Sequence, residues 1–365
     1  MSIKPIILTA LALAPAHAVA ASPDAMSALQ KGAESIERKG EGSGVVGLVV
    51  QGGEMSSFST RSDLTDQTPF EIASVSKLFT SLLLSVAVEE GQLGLEDPIG
   101  PQLETSIWMN KAARPQTAAI TYKQLSTHHS GLPRLPSNLG MVKILANLSD
   151  PYAKYDTAQL AKGVAKAKPT ADAGFGYSNF GTGLLGQLVS DTFGLPYCDA
   201  ITDRIAKPLG MDSLTCEDAS DLATPHFAEG TATTPWHFQA LVGAGGLRAN
   251  AADLGRFLQH NMNPENAPEL ARALERSTTA HSSKTGLGWM RAETDDGVIW
   301  WHNGATFGSN SFVGFSPSAD FGVVILMNDA ADYGQSLTAL GMRTLRSAMK
   351  QGESADESGV ASAGE

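Results

Sequence analysis

The stretch Glu71-Ile72-Ala73-Ser74-Val75-Ser76-Lys77-Leu78-Phe79-Thr80 sets a hydroxyl and an amine one helical turn apart. A serine hydroxyl is a poor nucleophile until a base takes its proton, and an amine can be that base only where its surroundings depress its pKa. On a helix this spacing puts Ser74 and Lys77 on one face, with Ile72, Leu78 and Phe79 as apolar cover. The plainer reading is a helix cap, since serine favours helix N-termini and lysine is an ordinary helix former. Spacing alone does not decide: Ser347-Ala348-Met349-Lys350 repeats it near the C-terminus, where nothing around it points to a site.

Two further clusters could complete such chemistry. Phe175-Gly176-Tyr177-Ser178-Asn179-Phe180 carries the chain's single Tyr-x-Asn, on a glycine-rich loop ahead of an apolar helical pattern. A phenol beside cations can shuttle protons and an amide can hold a carbonyl; equally, the tyrosine can pack and the asparagine can cap a turn. Trp301-His302-Asn303-Gly304-Ala305-Thr306 follows a strand pattern and precedes a hairpin. A strand edge there can align an extended substrate, and the Ala305 N–H can join that of Ser74 in stabilising an oxyanion. His129-Ser130-Gly131 and Lys284-Thr285-Gly286 show how cheaply comparable triplets arise.

The elements that must position these residues are legible at both ends of the chain. Met26 to Arg38 has helical spacing, and Val45–Gln51, a Gly52-Gly53 turn and EMSSFSTR read as a hairpin. The segment from Ser74 to Glu90 is apolar nearly all round, which predicts a core helix. Val298–His302, Ser309–Ser316 and Phe321–Asn328 read as strands, and Gln335 to Lys350 as an amphipathic helix. Between them, short helical patterns are punctuated by Pro and Gly. The fold class predicted is α/β of the α+β kind: an antiparallel sheet formed by N- and C-terminal segments and flanked by helices, with a mostly helical inserted lobe. The sheet lobe spans about residues 21–96 and 282–350, the helical lobe about 97–281, in one catalytic domain over 21–350.

Residues 1–20 read as a secretory signal peptide: Lys4, a short apolar run, then Ala16-His17-Ala18 or Ala18-Val19-Ala20. The expected location is the periplasm. No later stretch predicts a membrane span. A net charge of −12 argues against nucleic acid or an anionic membrane as partner. Residues 351–365 are polar and acidic and are expected to be disordered. Cys198 and Cys216 are the only cysteines; either a disulfide or two buried thiols fits them. No His-Glu-x-x-His or cysteine pairing marks a metal site, and no Gly-x-Ser-x-Gly marks an α/β-hydrolase elbow.

Taken in order, Ser74-Val75-Ser76-Lys77, Tyr177-Ser178-Asn179 and His302-Asn303-Gly304 before a terminal hairpin resemble the three signatures of serine β-lactamases and penicillin-binding proteins. The closest branch is the class C β-lactamases with their D-aminopeptidase, D-Ala carboxypeptidase and esterase relatives. FEIASVSKLFT, THHSGLPR, GAGGLRANAADLGRFL and HNGATFGSNSFVGFSP are similar to family segments, so the likeness runs from about Val45 to Lys350. The resemblance implies that Ser74 attacks the acyl carbon, Lys77 takes or holds its proton, and Tyr177 transfers protons. It implies that Asn179 binds the substrate's amide carbonyl and that the N–H groups of Ser74 and Ala305 form the oxyanion hole. His302 would occupy the third motif's cationic position, with Asn303 and Gly304 completing the substrate-binding strand. Neither cofactor nor metal is implied.

The departures bear on substrate. Class C enzymes usually carry Lys-Thr-Gly at the third motif, whereas His302 and Asn303 stand here. An imidazole with its ordinary pKa near ~6.5 would lend charge only conditionally, so turnover of carboxylate-bearing substrates is expected to fall as pH rises through that titration. The stretch Asn328-Asp329-Ala330-Ala331-Asp332 is acidic where relatives place carboxylate-friendly groups. His128 and His129 are read as loop hydrogen-bonding residues. The expectation is thus a monomeric, exported serine hydrolase acting through an acyl-enzyme on a small β-lactam, D-Ala peptide or ester, with β-lactam hydrolysis first. The rival of another class is a non-catalytic sensor that binds penicillin or peptidoglycan.

Overall fold

Along VVGLVVQ, successive side chains enter different cores. This segment is β1 (Val45–Gln51). Val46, Leu48 and Val50 join one apolar cluster, while Val45 and Val49 join another on the opposite face, as the two-residue repeat of a strand requires. A strand covered on both sides reads as an almost unbroken apolar run, which is why β1 shows no polar alternation. The computed structural model describes residues 23–37, 42–140 and 144–362; the expected signal segment, 1–20, lies outside them.

The remaining strands are β2 (Glu54–Ser59), β3 (Phe70–Glu71), β4 (Arg248–Ala249), β5 (Met290–Thr294), β6 (Gly297–Ala305), β7 (Asn310–Ser316) and β8 (Phe321–Met327). Six form one sheet in the order β2-β1-β8-β7-β6-β5, with every neighbouring pair antiparallel. The helices that matter to sheet and site are α1 (Pro23–Ile36), α2 (Ser76–Glu89), α3 (Asn179–Thr192), α4 (Ala251–Met262) and α5 (Gln335–Ser362). α1 and α5 cover one face of the sheet through Leu29, Leu337, Leu340 and Leu345. α2 and α4 lie in the core on the other face, with the helical insert beyond them.

The sheet built from both ends of the chain, its helical insert and the predicted hairpins are all present. α2 is a core helix, buried from Ser76 to Ala87. β5 is an additional edge strand. Its sequence, MRAET, is polar and half-exposed, and an edge strand facing water carries little of the apolar repeat that reveals a strand. The backbone of α5 continues helical to Ser362, through most of the polar tail expected to lack structure; once a packed helix exists, each further turn adds hydrogen bonds without a new nucleation cost. Cys198 and Cys216 are joined in a disulfide, Cα–Cα 5.9 Å.

Candidate active site

Ser74 lies in a single 3-10 turn, Ala73–Val75, that runs straight into α2, and no side chain caps either element. The Ser74 hydroxyl is therefore not spent on the helix end; it is half-buried among otherwise buried neighbours. Ala73, just before it, has φ +45°, a left-handed conformation that costs a non-glycine residue of order 1–3 kcal/mol and survives only where its surroundings impose it. Those surroundings are visible: the Ile72 N–H donates to the Leu247 carbonyl at 3.2 Å, and the Ser311 hydroxyl donates to the Ile72 carbonyl at 2.7 Å.

Lys77 Nζ stands 3.0 Å from Ser74 Oγ and donates to the Ala244 carbonyl at 2.6 Å. The side chain is fully buried. Burial, and secondarily the charge of Arg134, push its pKa well below the usual lysine range. The amine that the chemistry needs in its neutral form is thus favoured by its surroundings.

Tyr177 arrives from the other lobe. Ser178 caps α3, its hydroxyl oxygen accepting from the Gly181 N–H at 2.9 Å. The middle residue of Tyr-x-Asn thus fixes the helix end, and its two neighbours line the cleft. Burial pushes the pKa of the Tyr177 phenol up to about 12, and the nearby Ser74 hydroxyl offsets part of that rise. The phenol therefore holds its proton at neutral pH. Lys77 Nζ and Arg134 Cζ lie 4.9 Å and 5.2 Å from its ring centre. Asn179 lines the cleft together with Tyr152, and its buried Oδ1 has no hydrogen-bond partner among the described residues.

The third strip is β6. Gly304 abuts the nucleophile turn so closely that an added Cβ would stand 2.4 Å from the Ile72 carbonyl oxygen and 2.8 Å from the Ser74 nitrogen. Glycine is required there by close backbone approach. Asn303, Gly304 and Ala305 share with Ser74, Tyr177 and Asn179 a cleft of about 490 Å³.

His302 differs from expectation. Its imidazole is 1% exposed and is not among the cleft-lining residues. Nδ1–H donates to the Asn303 carbonyl at 2.6 Å. Burial, reinforced by Lys77, lowers its pKa to about 3. The side chain is neutral across the physiological range, so the conditional cation expected at the third motif is corrected to an uncharged ring packed 6.2 Å from that of Tyr177. Desolvation outweighs the ordinary imidazole basicity on which the expectation rested.

The decoys fall elsewhere. Lys284-Thr285-Gly286 sits in the turn ahead of β5, at the far edge of the sheet, and Ser347–Lys350 lies on α5. His128 Nδ1 accepts from the Ser178 N–H at 3.2 Å, reaching across to the residue that caps α3, whereas His129 Nδ1–H donates to the Thr127 carbonyl at 2.8 Å within its own loop. Among the described residues no group of three or more His, Cys, Asp or Glu is placed to hold a metal ion.

Three contributors escaped the sequence reading. Glu71, buried with its pKa raised by desolvation, accepts from the Trp236 N–H at 2.7 Å, from Ser309 at 3.0 Å and from Thr306 at 3.2 Å. It ties the segment before the nucleophile to the β6–β7 turn. It stood in the motif-bearing stretch but carried no spacing signal. Arg134, which ends THHSGLPR, lines the cleft. Tyr152, Trp236, Phe238 and Phe307 form a wall of touching rings, assembled from segments too far apart in sequence to announce each other.

Residues 31–343 match the Beta-lactamase family, and the chain belongs to that family of serine hydrolases. A β-lactamase of Escherichia coli K12 is 27% identical over 316 residues, covering 74% of this chain and 78% of the relative. The Escherichia coli D-alanyl-D-alanine-carboxypeptidase/endopeptidase AmpH is 28% identical over 201 residues, 53% of this chain. Protein flp of Staphylococcus aureus is 25% identical over 73% of the chain. The matched region spans about half the length of the last two relatives, 49% and 54%. Among solved structures, a class C β-lactamase from Rhodobacter sphaeroides superposes with a TM-score of 0.72 at 23% identity, covering 89% of this chain and 99% of that one. A β-lactamase/D-alanine carboxypeptidase from Pseudomonas syringae gives 0.73 at 19%, covering 88% and 99%. Both share the fold.

Proposed function

We propose that this chain hydrolyses acyl substrates through a covalent intermediate on Ser74, with β-lactams the first candidate and D-Ala peptides or esters the alternatives within the same fold. The observation that carries the reading is the placement of Lys77 Nζ 3.0 Å from Ser74 Oγ, with Tyr177 lining the same cleft as that hydroxyl. Ser74 Oγ attacks the carbonyl carbon while its proton passes to Lys77. The backbone N–H groups of Ser74 and Ala305 hold the oxyanion. Tyr177 hands its proton to the departing nitrogen or oxygen and is reprotonated from Lys77, and water then releases the acyl group by the reverse proton path. Asn179 orients the acyl amide. The N-terminal sequence pattern supports export to the periplasm, and the disulfide fits an oxidising compartment.

Three substrates assayed in parallel test this: a chromogenic cephalosporin, a short-chain nitrophenyl ester and a D-Ala-D-Ala peptide, with intact-mass detection of an acyl adduct. Turnover of at least one, with the adduct on the Ser74 peptide, is expected. A stable adduct without turnover identifies a sensor, and no adduct with any of them defeats the mechanism.

Two outcomes follow from the third strip. Gly304→Ala forces backbone apart at the nucleophile turn, and kcat is expected to drop about 100-fold, the scale of an ångström-sized misplacement, while circular dichroism still reports a folded protein. Because His302 titrates at about 3, the ratio of rates on carboxylate-bearing and neutral substrates should show no step assignable to His302 between about pH 5.5 and 8.5. A step near pH 6.5 that His302→Gln abolishes would show the ring to be charged after all.

A further inference from the structure

Arg134 is the one charged side chain among the described residues that line the cleft, and no Asp or Glu lines it. It is exposed, and among the described residues no carboxylate pairs with it. Its guanidinium sits 5.2 Å from the Tyr177 ring centre. Its backbone is anchored beside the second motif, the Arg134 carbonyl accepting from the Phe180 N–H at 3.1 Å. The third motif supplies no competing cation, since His302 is buried, and Lys77 is buried too, engaged with Ser74 and Ala244. The same cleft is lined by the aromatic wall of Tyr152, Trp236, Phe238 and Phe307.

We infer that Arg134 is an anion-recognition residue that selects substrates carrying a carboxylate on the acyl side, joined to the reacting carbonyl by an apolar stem. The assignment to the acyl side rests on the proposed role of Asn179, the immediate neighbour of the residue that anchors Arg134. A guanidinium with unused donors offers a carboxylate two parallel hydrogen bonds. The aromatic wall takes the stem, which is the usual division of labour in a ligand cleft. Charge recognition is thus placed on the acyl side of the cleft, on the loop that follows Gly131-Leu132-Pro133.

Two arms test it. In the kinetic arm, the nitrophenyl monoester of glutaric acid is compared with nitrophenyl valerate, its uncharged counterpart of equal length. The ratio of kcat/KM, anionic over neutral, should fall about 10- to 100-fold in Arg134→Gln, carried by KM of the anionic ester, and recover in part in Arg134→Lys. Arg134 also acts electrostatically on Lys77, so a general loss of rate is expected to cancel in this ratio; an unchanged ratio overturns the inference. The binding arm needs no turnover. Ser74→Ala protein is titrated with phenylvalerate and with its carboxamide by ligand-observed NMR. Tighter binding of the carboxylate, lost in Ser74→Ala/Arg134→Gln, supports the inference; equal binding of the two probes, or a preference that survives the second substitution, overturns it. Failure of both esters to turn over in the wild type would count against the acyl-enzyme reading, while this arm still reports on Arg134.

Discussion

Ser74→Ala is expected to lower kcat/KM on every hydrolysed substrate by about 10⁴- to 10⁶-fold, the loss seen when a serine nucleophile is deleted from an acyl-transfer site. The substitution removes one oxygen from a turn whose backbone is held independently, by Leu247 behind Ile72 and by Ser311 on its carbonyl. Thermal stability should barely change, and the acyl adduct should vanish from the mass spectrum. Activity within tenfold of the wild type would place the nucleophile elsewhere.

Lys77→Met should cost about 10²- to 10⁴-fold in kcat, the range for a general base, and Lys77→Arg should be no better, because a guanidinium stays protonated. The pH dependence carries a definite sign. The base works as the neutral amine, and burial lowers its pKa below the usual lysine range. In the wild type, kcat/KM should therefore rise with pH through that depressed pKa and level off above it. Tyr177, held up at about 12, imposes no alkaline limb in the ordinary working range. The residual activity of Lys77→Met should lack the acid limb. Retention of the same limb would assign it to another group.

How much of this could be read beforehand differs by residue. The convergence of Ser74, Lys77 and Tyr177 was legible because each sits in a short motif and the three occur in a fixed order. The sheet was legible because β1 and β8 are dense in branched apolar residues, buried on both faces. The state of His302 was not, because its motif gives the residue type while its pKa depends on what surrounds the ring, and burial beside Lys77 is a property of the assembled fold. Glu71 was hidden for a similar reason. A lone carboxylate has no period or spacing, and its partners, Trp236, Thr306 and Ser309, lie more than a hundred positions away. The aromatic wall joins Tyr152, Trp236 and Phe307 only after the helical insert has folded over the sheet.

The pairing of β1 with β8 has a bearing on how the protein comes into being. Ser74 is made early in synthesis, yet β6, which completes its surroundings, is held in the sheet through β7 and β8, strands made late with little but α5 to follow. A nascent chain that has emerged only as far as the helical insert contains Ser74 and Lys77 without the strand that closes their cleft. Closing the sheet joins segments separated by most of the polypeptide, so assembly is a late step and a slow one for the chain's size. The cleft around Ser74 is therefore complete only when the two ends meet.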